Sequence, residues 1–538
     1  MCLKPQPPRP MPPELAAWGA RHLADDDPYK LVGDTLYEQY HDEDFADLYH
    51  NEGKPALSPV LLSFVTVFQA LDDLPDRKAA EAAEVNLKWK YALHLPLDAG
   101  SFDSSVLCEF RKRLIKHSAE AQVFNQVFTQ LTALGLVKTR GIQRTDSLAL
   151  FSRARELGRL ELVFETMRVA LRDLLTADAD WLRSVIPAEW AQRYRYHCRA
   201  ERQSDAERAA LTLIIGDDGA WLLARLDADD APGSLKDRYV VGILRTVWEQ
   251  HFEQRDGTMQ FRKPGDYDGK ERIQTPYDVE ARWSEKHGTG WTGYKLQVTE
   301  TEDAEMPHLI TDIAVTPSIE DDRTALPEIQ ERQQQRNTLP GERYVDKGYT
   351  SGPNLASSAE YQEDLRGPLA TPSTPQSRLP DGLTHADFQI DLEAGQVSCP
   401  GGYTTPLQSS GPGRLQAQFK RRWCEGCPLR PRCCTGKDGR AIGMGTDYPL
   451  LQQARARQET EAFKNAYKQH RPGVEGCLSG LVRGQGIRAC RYAGKAKNHL
   501  RALFVGVAVN LARAAAWLAG KRHRPKRPGL ALAAVASG

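Results

Sequence analysis

RTDSLAL, residues 144–150, sits in an apolar stretch: Leu136, Val137 and Ile142 precede it, and Leu148, Ala149 and Leu150 close it. Such a run reads as a buried strand. A buried strand has no structural use for an ionised carboxylate, whose burial without a partner is costly. Asp146 is therefore the residue to explain. A second apolar run ends the same way. In RYVDKGYTSG (343–352) a short strand leads into Asp346 and a glycine-containing turn, the position at which open α/β sheets hold ligand-binding groups. Either aspartate alone could equally be a turn former or a helix cap. A third acid, Glu475, stands in HRPGVEGCLSGLVRGQG (470–486), surrounded by Arg471, Arg483 and Arg488. In a helix Arg471 and Glu475 fall at i and i+4 on one face, and a single ion pair accounts for them too.

The wider chain sets the frame. Its 538 residues are 41% apolar and 26% charged, the balance of an ordinary soluble protein with three or four folding units. The polar, proline-rich start MCLKPQPPRPMPPEL lacks the apolar run of a secretory signal. LFVGVAVNLARAAAWLAG (503–520) is only just long enough to span a bilayer and carries Asn510 and Arg513, so a buried amphipathic helix is expected. These features predict a cytoplasmic protein without a membrane partner. Charge is distributed unevenly: after Glu475 there is no acid but 12 of the 71 basic residues, leaving 59 basic and 71 acidic groups in residues 1–475. A basic C-terminal block suggests a polyanionic partner such as DNA, hence a nucleoid-associated protein, because each neutralised phosphate releases counterions. A solvated basic helix and a disordered tail explain the same block.

Helical periodicity fills 55–140, beginning at SPVLLSFVTVFQAL with Ser58 as N-cap before Pro59. From 142 the pattern becomes mixed. GIQRTDSLALF is strand-like, 155–255 is mostly helical and 255–285 is polar. GYKLQVTETED (293–303) and HLITDIAVTP (308–317) fit neighbouring antiparallel strands, and EDDRTALPEIQERQQQR fits a helix that Pro327 must enter early or kink. Residues 352–446 read as loops rich in Pro, Gly and Ser, before a last helical region near Leu450. The expected organisation is an N-terminal arm (1–54), an all-α domain for DNA binding (55–140), an α/β catalytic domain (141–520) and a basic disordered tail (521–538). The catalytic domain carries a helical insertion over 155–285 and a cysteine-containing one over 353–446.

Strand–Asp, strand–helix–strand–Asp and then helix–Glu is the order of ribonuclease-H-like nucleotidyl transferases. Mg²⁺ prefers hard oxygen ligands. Two such ions about 4 Å apart activate a nucleophilic oxygen and stabilise the leaving one. On these grounds the chain resembles a DDE transposase of a bacterial insertion sequence, from about residue 30 to 520. RTDS is similar to that family's first-aspartate motif and YVDKGY to its second. RPGVEG, GIRACRYAGKAKNHL and VNLARAAAWLAG are similar to its glutamate region and closing helix, and the helical front, with FDSSVLCEFRKRL, to its N-terminal domain. Two positions depart from the pattern. Leu148 and Ala149 replace a frequent Thr-His, and Val482, with Arg483 next to it, stands where a Tyr–Arg–Glu–Lys signature begun by Tyr467 and Arg471 would place its Lys.

The resemblance implies a ribonuclease-H-like mixed sheet, with Asp146, Asp346 and Glu475 as catalytic ligands of two Mg²⁺ (or Mn²⁺) ions. It implies a substrate of double-stranded DNA, as terminal inverted repeats and target, and a homodimer assembled on it. Arg471, Arg483, Arg488, Arg491, Lys495 and Lys497 are the candidate DNA contacts. In VSCPGG and RWCEGCPLRPRCC, Cys399, Cys424, Cys427 and Cys433 form a candidate structural Zn²⁺ set, with Cys434 able to replace its neighbour. A C-x₂-C pair in a cytosolic chain favours metal over disulfide, and reduced free thiols are the simpler reading. Two rival functions remain: a nuclease on the same fold without strand transfer, and a zinc-stapled DNA-binding protein derived from an inactive transposase.

Overall fold

The computed structural model describes residues 1–154, 157–263, 265–266, 269–286, 288–370, 374–434 and 436–522. All but Lys521 and Arg522 of the expected basic tail lies outside them. The RTDSLAL stretch is the centre of β1 (Ile142–Phe151), a fully formed strand. A small ribbon, β2 (Phe252–Arg255) with β3 (Thr258–Phe261), comes next in the chain. The main sheet is completed by β4 (Arg282–Lys286), β5 (Thr289–Thr301), β6 (Ile310–Pro317), β7 (Glu342–Tyr344) and β8 (Asp364–Arg366). Its order is β4-β5-β1-β7-β8, with β6 also on β5. β1 lies antiparallel to β5 and parallel to β7, and β5 and β6 form the expected antiparallel pair. This mixed sheet behind a helical front is the ribonuclease-H-like arrangement.

The parallel step from β6 to β7 needs a crossover, and the helix Asp322–Gln335 supplies it. Pro327 lies inside that helix and cannot donate to the carbonyl of Arg323. Asn354 fills the vacancy, its Nδ2 donating to Arg323 O at 2.9 Å. Beneath the sheet, Arg343 on β7 is entirely buried yet saturated. It donates to Glu363 at 2.7 and 2.9 Å, to Thr145 Oγ1 at 3.0 Å and to Gln333 at 2.5 Å. A charge so deep is tolerable only with its hydrogen bonds complete. Here they lock β7 to β1.

The last helix, Lys495–Leu518, is long and apolar enough to cross a membrane, but it is largely buried inside the fold. It packs between β6 and the front helices Pro59–Leu71 and Gln122–Ala133. Within its apolar part, from Leu503 onward, the two polar residues serve interior partners. Asn510 bonds the N–H and C=O of Ile310 at 2.7 and 2.8 Å, and Arg513 donates to buried Glu300 at 2.7 Å. One hydrophobic core therefore runs from Tyr29, Val32 and Phe45 through Phe68 and Phe128 to Leu296, Phe504 and Leu511. Residues 1–54, expected as an arm, are built into that core by Tyr29, Val32, Leu36, Tyr37 and Phe45.

The helical insertion keeps a core of its own, around Phe164, Met167, Leu222, Leu244 and Trp248. The stretch 352–446 departs most from expectation. Besides the short helix Gly352–Glu360 it holds a five-stranded antiparallel sheet: β9 (Gln389–Asp391), β10 (Gln396–Ser398), β11 (Thr404–Gly411), β12 (Arg414–Lys420) and β13 (Gly439–Gly445). The signal was period-two alternation, Ala417 and Phe419 inward against Gln416 and Gln418. Glycine, glutamine and serine diluted it.

Candidate active site

β1 carries Asp146 opposite Val298 of β5, and the residue is 7% exposed. Its Oδ1 accepts the Ser147 N–H at 2.8 Å and its Oδ2 accepts Arg471 Nη2 at 2.6 Å. Burial nevertheless raises its pKa, against the lowering by Arg471 and with a further rise from Asp346. Asp346 follows the end of β7 by two residues, where Val345 N–H still pairs with Arg366 O at 3.0 Å. Its Oδ1 accepts the Gly348 N–H at 2.8 Å. A Cβ at Gly348 would stand 2.9 Å from Asp346 Oδ1 and 3.3 Å from Asp322 Oδ2, so a glycine keeps these acids close. Asp322 is thus a fourth acid at the site. Sequence reasoning passed over it because EDD before a helix reads as ordinary first-turn acids.

Glu475 occupies the first turn of the helix Gly473–Gln485, with its side chain 73% exposed. Two features hold this helix against β1. Arg144, two residues before Asp146, donates to Glu300 at 2.8 Å and to His470 O at 3.2 Å. Its guanidinium also passes so close to Gly473 that a side chain there would collide with it. The glycine of RPGVEG is therefore a packing requirement. On the helix's next turn, Cys477 accepts from Arg513 at 3.3 Å.

Tyr467 lies near the acids, donating to Val345 O at 3.1 Å. Burial pushes its phenol up to about 12, with Asp346, Asp146 and Glu475 adding to the rise and Arg471 opposing it. All three acids are thus within electrostatic reach of one hydroxyl. Arg471 ties two of them together: Nη2 holds Asp146, and Nη1 stands 3.6 Å from Glu475 Oε1. The donor set suits Mg²⁺, being hard carboxylate oxygens from separate elements. As the side chains stand, though, no group of three or more His, Cys, Asp or Glu among the described residues is arranged to hold a metal ion.

Beside the acids runs a groove of about 610 Å³ between the end of β1, the β4–β5 hairpin and the glutamate helix. Lys286, Lys295, Arg483 and Arg488 line it, and Glu475 is the only acid among its lining residues. Phe151, 40% exposed, faces it with the Arg488 guanidinium 6.0 Å from its ring centre. Lys286, Lys295 and Phe151 were not legible as site residues, since only the hairpin's fold brings them to Glu475. The other basic candidates lie elsewhere. Arg491 pairs with Asp73 and donates to Leu74 O at 3.3 Å, bracing the helical front. Lys495 lines a separate groove with Glu280, Glu320 and Asp321, and Lys497 is exposed on the closing helix.

The cysteines converge as well. Cys399, Cys424, Cys427, Cys433 and Cys434 line one small cavity under Trp423 and Phe419, all as free thiols. Burial raises the thiols of Cys424 and Cys433, the latter to about 11.

Two family matches bear on this architecture. Residues 20–113 match the family described as Transposase domain (DUF772), and residues 398–515 match Transposase DDE domain. The second stretch takes in the cysteine cluster, Glu475 and most of the closing helix, while Asp146 and Asp346 lie outside both. No curated protein and no solved structure matches the chain. Transposase sequence in the helical front and again from the cysteine insertion to the closing helix, around a ribonuclease-H-like sheet, is consistent with a DDE transposase of an insertion sequence.

Proposed function

We propose that the protein binds the inverted-repeat ends of its insertion sequence and cuts and rejoins DNA strands by metal-dependent phosphoryl transfer. The observation that carries this reading is the convergence of Asp146, Asp346 and Glu475, from a strand, a turn and a helix, on Tyr467 beside a cation-lined groove. DDE transposases generally work with divalent metal ions. Asp146, Asp346 and Glu475 would hold Mg²⁺ or Mn²⁺ here, which supplies charge stabilisation at the phosphoryl oxygens and an activated nucleophile.

The chain's own residues do the rest. Lys286, Arg483 and Arg488 bind backbone phosphates along the groove, and Phe151 offers a face for a base to stack on. Arg144, braced by Glu300, holds the end of the helix before Glu475 to β1 through His470 O, and Tyr467 ties that helix to the residue after β7. The helical front and the basic C-terminal segment grip the element's ends, two chains pair on the two ends, and the work is done on DNA in the cytoplasm. The cysteine set binds one structural Zn²⁺.

The deciding experiment is cleavage and joining of labelled DNA carrying the element's own ends, with Mg²⁺ or Mn²⁺. Wild type is compared with Asp146→Asn, Asp346→Asn and Glu475→Gln. Metal-dependent cleavage with a joined product, lost in all three variants while DNA binding persists, is the expected result. Cleavage without joined product would leave a nuclease, and binding without cleavage in the wild type would leave a DNA-binding protein. Cleavage surviving any one substitution would remove that residue from the triad.

A further inference from the structure

Two buried arginine–carboxylate pairs in this fold differ in a way that points to a task for one of them. Arg343 uses Nε, Nη1 and Nη2 on Glu363, Thr145 and Gln333. Arg471, 9% exposed, is poorly satisfied. It makes one strong bond, Nη2 to Asp146 at 2.6 Å, and a long approach of Nη1 to Glu475 at 3.6 Å. Its Nε is buried and has no hydrogen-bond partner among the described residues. A buried donor left unmade is a cost; Arg336 also leaves its Nε unmade but adds bonds to Thr311 O and Asn125 to its pair with Asp312, whereas Arg471 has little beyond Asp146. Arg471 also sits in the two-residue link between the helices Glu461–His470 and Gly473–Gln485. There a rotation of the side chain alone can redirect the guanidinium.

We infer that Arg471 is a removable cation that closes the metal site until DNA arrives, an inference that rests on the reading of Asp146 and Glu475 as metal ligands. The guanidinium takes up charge from two carboxylates that divalent ions would share, and a metal ion and an arginine on the same Asp146 repel each other. A DNA strand in the groove brings phosphates, which engage a guanidinium through two parallel hydrogen bonds. Moving Arg471 onto a phosphate frees both acids and satisfies the arginine. Because the coupling of two ligands through one group is reciprocal, DNA raises metal affinity, and metal raises DNA affinity by the same factor. The disagreement between the donor chemistry of the acids and their present arrangement is then explained by what stands between them.

The test is Mn²⁺ binding, followed by the electron paramagnetic resonance signal of the free ion, to purified protein with and without a duplex of the element's end. Wild type, Arg471→Gln, Arg471→Lys and Asp146→Asn are compared, each checked for its thermal transition. Without DNA, Arg471→Gln is expected to bind Mn²⁺ about tenfold tighter than wild type, within the usual range for coupled sites. Arg471→Lys, which keeps the charge, should stay near wild type. Adding DNA should tighten Mn²⁺ binding in wild type far more than in Arg471→Gln. Equal DNA-free affinity of wild type and Arg471→Gln, with binding lost in Asp146→Asn, would overturn the role of Arg471 alone. Binding unaffected by Asp146→Asn would overturn the metal-ligand reading and the inference with it. Should Arg471→Gln fail to fold, the wild-type response decides: Mn²⁺ affinity unchanged by DNA overturns the proposal.

Discussion

The two insertions in the main sheet differ in how much apolar surface they bury. The helical one, between β1 and β4, closes on large side chains: Trp190, Trp248, Phe164, Phe252, Met167 and many leucines. The cysteine one, between β8 and the glutamate helix, has a core of only seven buried apolar side chains, among them Val397, Phe419 and Ile442. Its free thiols gather at the edge of that core, next to Phe419 and Trp423. The first can fold on burial alone at about 25 cal/mol per Å² of apolar surface. The second has far less of that surface, and the proposed Zn²⁺ would add the stabilisation that burial does not supply there. If the proposed Zn²⁺ binds there, hydrophobic burial and metal ligation are alternative answers within one chain to the same entropy problem.

The harshest way to break this comparison is to remove the staple. Purified protein should carry one Zn²⁺, and chelation, or Cys424→Ser with Cys427→Ser, should open 389–445 to limited proteolysis while 159–261 stays protected. Structural Zn²⁺ is worth on the order of 10 kcal/mol in small domains, more than any single side chain. Equal protection of both segments after chelation would refute the contrast. In the helical insertion, Trp248→Ala should cost about 3–5 kcal/mol in denaturant unfolding, with or without chelator. Gly219→Ala tests the fit of the same core, because a methyl there would collide with the Trp248 indole. Overpacking of that kind costs about 1–3 kcal/mol.

The mildest test is pH. Burial, with Arg159 and Arg272 nearby, lowers the His251 pKa from 6.5 to about 3. Between those values the unfolded chain binds a proton that the folded one refuses. His251 therefore contributes fully at neutral pH, and its contribution falls by roughly 1.4 kcal/mol per unit as pH drops below about 6.5. His251→Gln, which cannot take up that proton, should flatten the acid limb of the helical insertion's unfolding transition and leave the cysteine insertion's unchanged.

Legibility in the sequence followed the range of the interactions involved. β1 and Asp146 were readable because a carboxylate in an apolar run violates a local rule. The antiparallel pairing of β5 and β6 and the helices of 159–251 were readable from periodicity. β9–β13 were not, since their alternation is carried by few apolar residues among Gly, Gln and Ser. Asp322, Lys286 and Phe151 were invisible as site residues for another reason. Their meaning depends on neighbours far away in the chain: Asp346, Glu475 and Arg488. The Arg144–Gly473 approach is of the same kind, a steric requirement joining residues more than three hundred positions apart.

The closing helix also has a consequence in time. Front-helix residues such as Phe68 and Phe128 share their core with Phe504 and Leu511. At a synthesis rate of about 5–20 residues per second, the front helices leave the ribosome roughly 20–85 s before that last piece exists. During this interval the nascent chain lacks the helix that covers this apolar surface in the finished fold. The sheet, lacking the same helix, cannot settle either. Helical front and sheet therefore settle together, at the end of translation, and a chain stopped before residue 495 should have neither in its final packing.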